Sequence, residues 1–274
     1  MLRVLTLSTL FPDATRPNFG VFVERQTLGL AAHSGVELRV VAPIGLPLWP
    51  LRRVARFARL ADVPKCERWK GIDVCRPRFT ALPGTSGRFH VAGLVRALTP
   101  LIADIRRDFA FDVIDASFFF PDGPAAVALG RHFGVPVSIK ARGADIHHWG
   151  HAPGTAAQVV AAGQQADGLL AVSEAMKADM AAIGMPAARI RVHHTGVDLD
   201  RFSPVVDRAV AKAALGVAGP LIVSLGALIA RKGHDVVIDA VAALPGVTLL
   251  IAGEGPERGA LTARIAAHGV GERV

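Results

Sequence analysis

Arg231, Lys232 and Gly233 follow the apolar run LIVSLG (221–226) and precede a helical pattern starting at His234. Cations at a glycine turn that opens a helix suit a phosphate clamp. Free backbone N–H groups and the helix dipole add to the side-chain charge there. The spacing is not GxxxxGK[ST], so this is not the ATPase-type phosphate loop. AGEGPE (252–257) is a second strand-to-helix turn in the same half, with Gly253, Gly255 and Pro256. Glycines such as these and Gly226 let a ligand approach the backbone closely. Two such turns in register on successive strands point to a nucleotide diphosphate. In the first half, KARGADIHHWGH (140–151) gathers Lys140, Arg142, Asp145, His147, His148 and His151 after an apolar strand. That density of polar groups at a strand exit favours a site over a solvated loop. His147 and His151 are four residues apart. No carboxylate pair or HExxH pattern accompanies them, so no metal is expected. The loop LFPDATRPNFG delivers Gly20 to a helix start, which fits either a bound anion or a turn needing positive φ. Asp198–Leu199–Asp200 reads as turn and capping residues, and no G-x-S-x-G elbow occurs.

Strand exits must hold these groups. Short β-branched runs at 3–9, 37–43, 111–117, 135–141, 168–173 and 189–195 alternate with helical segments at about 20–33, 89–109, 123–133, after Pro153 and at 174–183. This alternation predicts an α/β fold, a doubly wound parallel sheet with helices on both faces. After GVDLDRFSP (196–204) the pattern restarts, with strands at 221–226 and 247–253 and helices at 234–244 and 256–268. The expected domains are therefore 1–203 and 204–274. Two strands and two helices do not close a doubly wound layer. The second domain is expected to be incomplete, so the chain reads as a fragment or as a piece that something else completes. Ligands of such sheets bind beyond the carboxyl ends of the strands, where every candidate above lies.

Apolar residues make up 51% of the 274 and charged residues 20%, which excludes wholesale disorder. No apolar run reaches the length of a membrane span, and the N-terminus reads as a strand, not a signal peptide. Two cysteines, Cys66 and Cys75, make neither a disulfide framework nor a zinc site alone, so a reducing cytoplasm is the default. The net charge is +8. Residues 1–100 carry 15 Lys/Arg against 6 Asp/Glu, hence +9, which leaves −1 for the rest. In LPLWPLRRVARFARL (46–60), Trp49, Leu51, Val54, Phe57 and Leu60 interleave with Arg52, Arg53, Arg56 and Arg59. The spacing predicts one short amphipathic helix that lies either on an anionic bilayer or, merely solvated, on its own domain. Nucleic acid is not expected, because no helix-turn-helix, zinc-finger or aromatic RNA-binding signature accompanies the charge.

GVDLDRFSP (196–204), LGALIARKGHDVVIDAVAAL (225–244) and LLIAGEGPER (249–258) together resemble the retaining glycosyltransferases of family 4, which have the two-domain GT-B fold. KARGADI resembles the segment that this family usually carries as HGxD. The resemblance covers the whole chain. It implies a nucleotide-sugar donor held mainly by the C-terminal domain, an acceptor held by the N-terminal domain, and front-face transfer without metal. It gives Lys232 the role of neutralising the donor diphosphate. Gly20 abuts the donor phosphates, and Gly253, Gly255 and Pro256 lie near the nucleoside. Asp145 matches the Asp of HGxD, and Arg142 stands where many members carry a histidine facing the transferred sugar. Ala227 replaces a frequent arginine that shares the diphosphate, a task open to Arg231. The family's Glu-x7-Glu segment would fall beyond Val274.

The expected activity is transfer of a sugar, with retention, from a UDP- or GDP-sugar to a lipid-linked or glycan acceptor. The setting would be cell-envelope or exopolysaccharide synthesis, peripheral on the cytoplasmic face of the membrane. The alternative is a non-catalytic, membrane-associated acceptor-binding protein or an inactive fragment. A nucleotide-sugar 2-epimerase fits the motifs less well.

Overall fold

The computed structural model describes residues 1–274, the side chain of Arg56 excepted. The chain forms two compact units, Met1–Gly196 and Val197–Val274. The division lies a few residues before the expected 203/204, so GVDLDRFSP belongs almost wholly to the second unit.

The first unit runs β1 (Leu2–Leu7), α1 (Val21–Ala31), β2 (Val36–Val41), β3 (Ile44–Leu46), α2 (Ala55–Ala61), β4 (Cys66–Trp69), β5 (Ile72–Cys75) and β6 (Arg78–Thr80). It continues with α3 (His90–Asp108), β7 (Val113–Ala116), α4 (Asp122–Phe133), β8 (Val137–Ala141), α5 (Ala144–His147), α6 (Ala156–Gln165), β9 (Gly168–Ala171), α7 (Glu174–Ala182) and β10 (Ile190–Val192). Eight strands form one sheet in the order β10-β9-β8-β7-β1-β2-β5-β4. All pairs are parallel except β4 with β5.

Strand alternation sorts the side chains into two unlike faces. Leu5, Leu7, Ile114, Ala116, Ile139 and Ala141 enter the main core, where Leu94, Leu98, Ile102 and Ile105 of α3 meet them at helical spacing. The register pairs Thr6 with Asp115, Asp115 with Ser138, and Lys140 with Leu170. The opposite face therefore carries a polar row near the carboxyl ends of β1, β7 and β8. On this side the second apolar cluster, which includes Phe11, Val23, Val40 and Val74, lies over β2 and β5. The polar row is left beside α1.

Segment 46–60 differs from its expected form. It is not one helix: β3 ends at Leu46, Leu51–Arg53 is a single 3-10 turn, and α2 starts only at Ala55. Pro50 offers no N–H to a helix, and extended backbone at Val54 (ψ 131°) separates the turn from α2. The apolar residues divide accordingly. Phe57 and Leu60 pack on Ile44, Leu46 and Val63, while Leu48, Trp49, Leu51 and Val54 stay exposed. Arg52, Arg53 and Arg59 are exposed around them, and the Arg53 guanidinium lies 5.8 Å from the Trp49 ring. The side chain of Arg56 lies outside the described residues.

The antiparallel register sets Cys66 directly opposite Cys75, and the two are joined as a disulfide. Residue counting alone did not anticipate this pairing, because only the hairpin brings positions nine residues apart face to face.

The second unit holds α8 (Arg208–Ala213), β11 (Leu221–Leu225), α9 (His234–Ala242), β12 (Thr248–Ala252) and α10 (Arg258–Ala267). β11 and β12 are parallel, and Leu228, Ile238, Val241, Leu249 and Leu261 form the core. Among the described residues, no helix is long and apolar enough to cross a membrane.

Candidate functional site

In the second unit, the two glycine turns are built against each other. Gly226 N–H donates to Ala252 O at 3.0 Å, Leu228 N–H to Glu254 O at 2.9 Å, and Glu257 N–H to Leu228 O at 3.1 Å. The backbones come so close that a Cβ on Gly253 would stand 1.8 Å from Gly226 O, and one on Gly255 2.3 Å from Leu228 O. The glycines expected to make room for a ligand thus make room first for the neighbouring turn. Pro256 follows in the same turn, ahead of α10. Behind the turns, buried His234 spans Ser224 Oγ (2.8 Å) and Ala227 O (3.2 Å). Arg231 and Lys232 close a 3-10 turn between β11 and α9, and both are exposed. The Lys232 stem runs past Gly226, 3.7–3.8 Å from where a Cβ would be. Its ammonium has no hydrogen-bond or ion-pair partner among the described residues. A free cation beside paired turns is suited to a diphosphate.

In the first unit, Gly20 has φ 71°, and a Cβ there would stand 2.4 Å from Leu10 O. Both the conformation and the close approach require glycine. Its carbonyl starts α1 by accepting from Val23 N–H.

The KARGADI segment differs from the expected arrangement at two residues. Asp145, which matches the Asp of HGxD, is fully buried, and its carboxylate accepts N–H bonds from Phe119 (2.9 Å), Arg142 (3.0 Å) and Gly143 (2.7 Å). Burial pushes its pKa up and these donors pull it back. The geometry makes it a positioning residue that clamps two strand exits together. Arg142, which stands where many members of the resembling family carry a sugar-facing histidine, turns back over the sheet end. Its Nε donates to Ser117 O (2.5 Å) and Nη2 to Gln26 Oε1 (2.6 Å), and it stacks 5.1 Å from the Phe22 ring. Burial lowers its pKa to about 10. His147 leaves the cluster to pair with Asp179 at 2.9 Å.

Sequence reading missed the cavity that these residues border. A cavity of about 400 Å³ lies beneath α1 at the carboxyl ends of the strands, lined by Thr6, Gln26, Asp115, Ser117, Lys140 and His193 among others. Lys140 Nζ donates to His193 Nδ1 at 2.7 Å, and Gln26 Nε2 donates to the same nitrogen at 3.1 Å. Two donors converging on Nδ1 fix the neutral tautomer with its proton on Nε2. Burial and the Lys140 charge lower the His193 pKa accordingly. Burial, with repulsion from Arg142, lowers that of Lys140 to about 8. Asp115 accepts from Ser117 Oγ at 3.2 Å, and burial raises its pKa.

A doubly wound parallel sheet in one unit and a cation-bearing pair of glycine turns in the other match the GT-B fold of nucleotide-sugar glycosyltransferases. The sucrose-phosphate synthase of Thermosynechococcus elongatus matches 100% of this chain and 69% of its own, at a TM-score of 0.73 and 18% identity. Anabaena Alr3699/HepE in complex with UDP matches 100% of this chain and 68% of its own, at 0.67 and 19%. The chain belongs to glycosyltransferase family 4: residues 20–201 match "Glycosyltransferase Family 4" and residues 207–274 match "Glycosyl transferases group 1". It is 26% identical over 270 residues to the Bacillus subtilis (strain 168) protein named "Putative teichuronic acid biosynthesis glycosyltransferase TuaC". That match spans 95% of this chain and 68% of the relative.

Proposed function

We propose that the protein moves a hexosyl group, with retention, from a UDP- or GDP-sugar to a lipid-linked or glycan acceptor in cell-envelope polysaccharide synthesis. The observation that carries this reading is the unpartnered Lys232 beside the two interlocked glycine turns, in a chain of this family. In the reaction, the bond from the anomeric carbon to the diphosphate oxygen breaks. The acceptor oxygen bonds to that carbon from the same face, and the acceptor proton passes to the leaving diphosphate. Lys232, with Arg231 supplying the second cation that Ala227 lacks, stabilises the charge that develops on the diphosphate. Gly20, Gly226, Gly253, Gly255 and Pro256 shape the turns toward the donor, and no metal takes part. The UDP complex of the HepE neighbour supports a uridine donor. A panel of UDP- and GDP-sugars offered with lipid-linked acceptors tests the reading. Transfer of one donor sugar is expected, and neither transfer nor hydrolysis of any donor would overturn it.

The same reading places the protein on the cytoplasmic face of the membrane, bound through the exposed Trp49, Leu51 and Val54 and the arginines around them. Aromatic and aliphatic side chains beside Arg52, Arg53 and Arg59 suit an anionic surface even without a continuous helix. Cosedimentation with phosphatidylglycerol-containing vesicles is expected, weakening as salt rises. Replacing Arg52, Arg53, Arg56 and Arg59 by Ser should abolish it, and undiminished binding by that variant would refute the assignment.

A further inference from the structure

We propose that the cavity beneath α1 is a subsite for an acidic sugar, one whose ring carries a carboxylate or phosphate. This rests on the acceptor reading above and narrows it to acidic acceptors.

At about 400 Å³ the cavity stands near the lower end of the range for small-molecule sites, enough for a monosaccharide and too little for a long glycan. Its charges are unequal. Arg142 stands against Asp145 and Asp115, whereas Lys140 stands against Asp115 alone and makes no ion pair among the described residues. Its donors are also unspent. Lys140 is only 3% exposed, and of its three N–H groups one meets His193 among the described residues. Arg142, bonded to two of the lining residues, has a buried Nη1 with no partner. Thr6 is 1% exposed, and its Oγ1 likewise has none. His193 Nε2–H completes the set. Buried polar atoms are almost always hydrogen-bonded, so the orphaned Thr6 hydroxyl and the under-used Lys140 ammonium, which both line the cavity, call for a ligand. An anionic group would pair with Lys140 and accept from the Thr6 hydroxyl. Asp115 and Gln26 suit the ring hydroxyls, and Leu30 and Leu170 face the apolar C–H edge. A neutral sugar would leave the buried ammonium with no ion pair among the described residues, which is costly.

Calorimetry on the full chain with glucuronate, glucose 6-phosphate, glucose and inorganic phosphate separates the outcomes. Both acidic sugars are expected to bind at least tenfold more tightly than glucose, and the tighter of the two identifies the anionic group. Equal binding of glucose, or binding of inorganic phosphate alone, overturns the proposal. Lys140→Met should lower affinity for both acidic sugars tenfold or more while affinity for UDP holds. An undiminished affinity there also overturns it. The wild-type protein gives an independent reading that needs no variant to fold. Between pH 7 and 9 its affinity for glucuronate should fall as Lys140 loses its proton. Of the other titratable groups around Lys140, Arg142, at about 10, keeps its charge through most of that interval, and His193, lowered from its ordinary value, stays neutral. Asp115, which burial raises, is shared with Lys140→Met, whose profile should be flat. A flat wild-type profile counts against the subsite. Transfer to neutral acceptors without acidic-sugar binding defeats this proposal alone. Absence of transfer to every acceptor defeats the transferase reading instead.

Discussion

Lys232→Ala is expected to lower the turnover of sugar transfer by about 10²- to 10³-fold, the range seen when one preorganised charge-stabilising donor is removed. The charge on the diphosphate is larger in the transition state than in the bound donor. The effect should therefore fall more on kcat than on KM for the nucleotide sugar. Because the ammonium is exposed and bonded to nothing in the fold, the variant should melt within a degree or two of the parent. That separates a chemical role from a structural one. Lys232→Arg should recover part of the loss, since it restores the charge in a different shape. Unchanged turnover in the Ala variant would remove Lys232 from the mechanism. A lowered melting temperature would make its role structural.

Gly253→Ala should be the most damaging single methyl in the second unit. The added carbon would stand 1.8 Å from the Gly226 carbonyl oxygen, and that neighbour is backbone that cannot swing aside. The carboxyl ends of β11 and β12 would have to part, breaking the Gly226–Ala252 and Leu228–Glu254 hydrogen bonds. Overpacking of this kind costs about 1–3 kcal/mol or more. Lost alignment of the paired turns should cut UDP affinity by at least tenfold, measured alongside chemical denaturation. Gly259→Ala is the matched control. It lies in α10 with nothing within 4 Å of its added carbon, so it should be neutral or stabilising. Equal behaviour of the two variants would show that the turns do not interlock as described.

The alternation of elements was legible because β-branched runs and alanine-rich segments differ in composition. Strands expected at 111–117 and 135–141 lie at Val113–Ala116 and Val137–Ala141, and helices expected at 123–133 and 174–183 at Asp122–Phe133 and Glu174–Ala182. The interleaved arginines and aromatics of 46–60 misled for a local reason. Their spacing fits a helix, but Pro50 and the extended Val54 interrupt it. The glycines of the two turns were visible by type and place. What they make room for was not, because Gly226 and Gly253 meet only once β11 and β12 pair. The cavity was hidden for the same reason. Thr6, Asp115, Lys140 and His193 are single polar residues in or beside four separate strands, and only the sheet register makes them one site. Asp145 was found by its motif, but a motif does not say where a carboxylate points. Three backbone N–H groups take up its acceptors before any substrate arrives.

The central claim is that these two units, as parts of a family 4 enzyme, transfer a sugar with retention. The most direct measurement is the anomeric configuration of the first-formed product, read by proton NMR from a carbon-13-labelled UDP-hexose or GDP-hexose and a lipid-linked acceptor. The account predicts labelled product with the donor's own configuration. Product of inverted configuration, or label that reaches neither acceptor nor water, would contradict it.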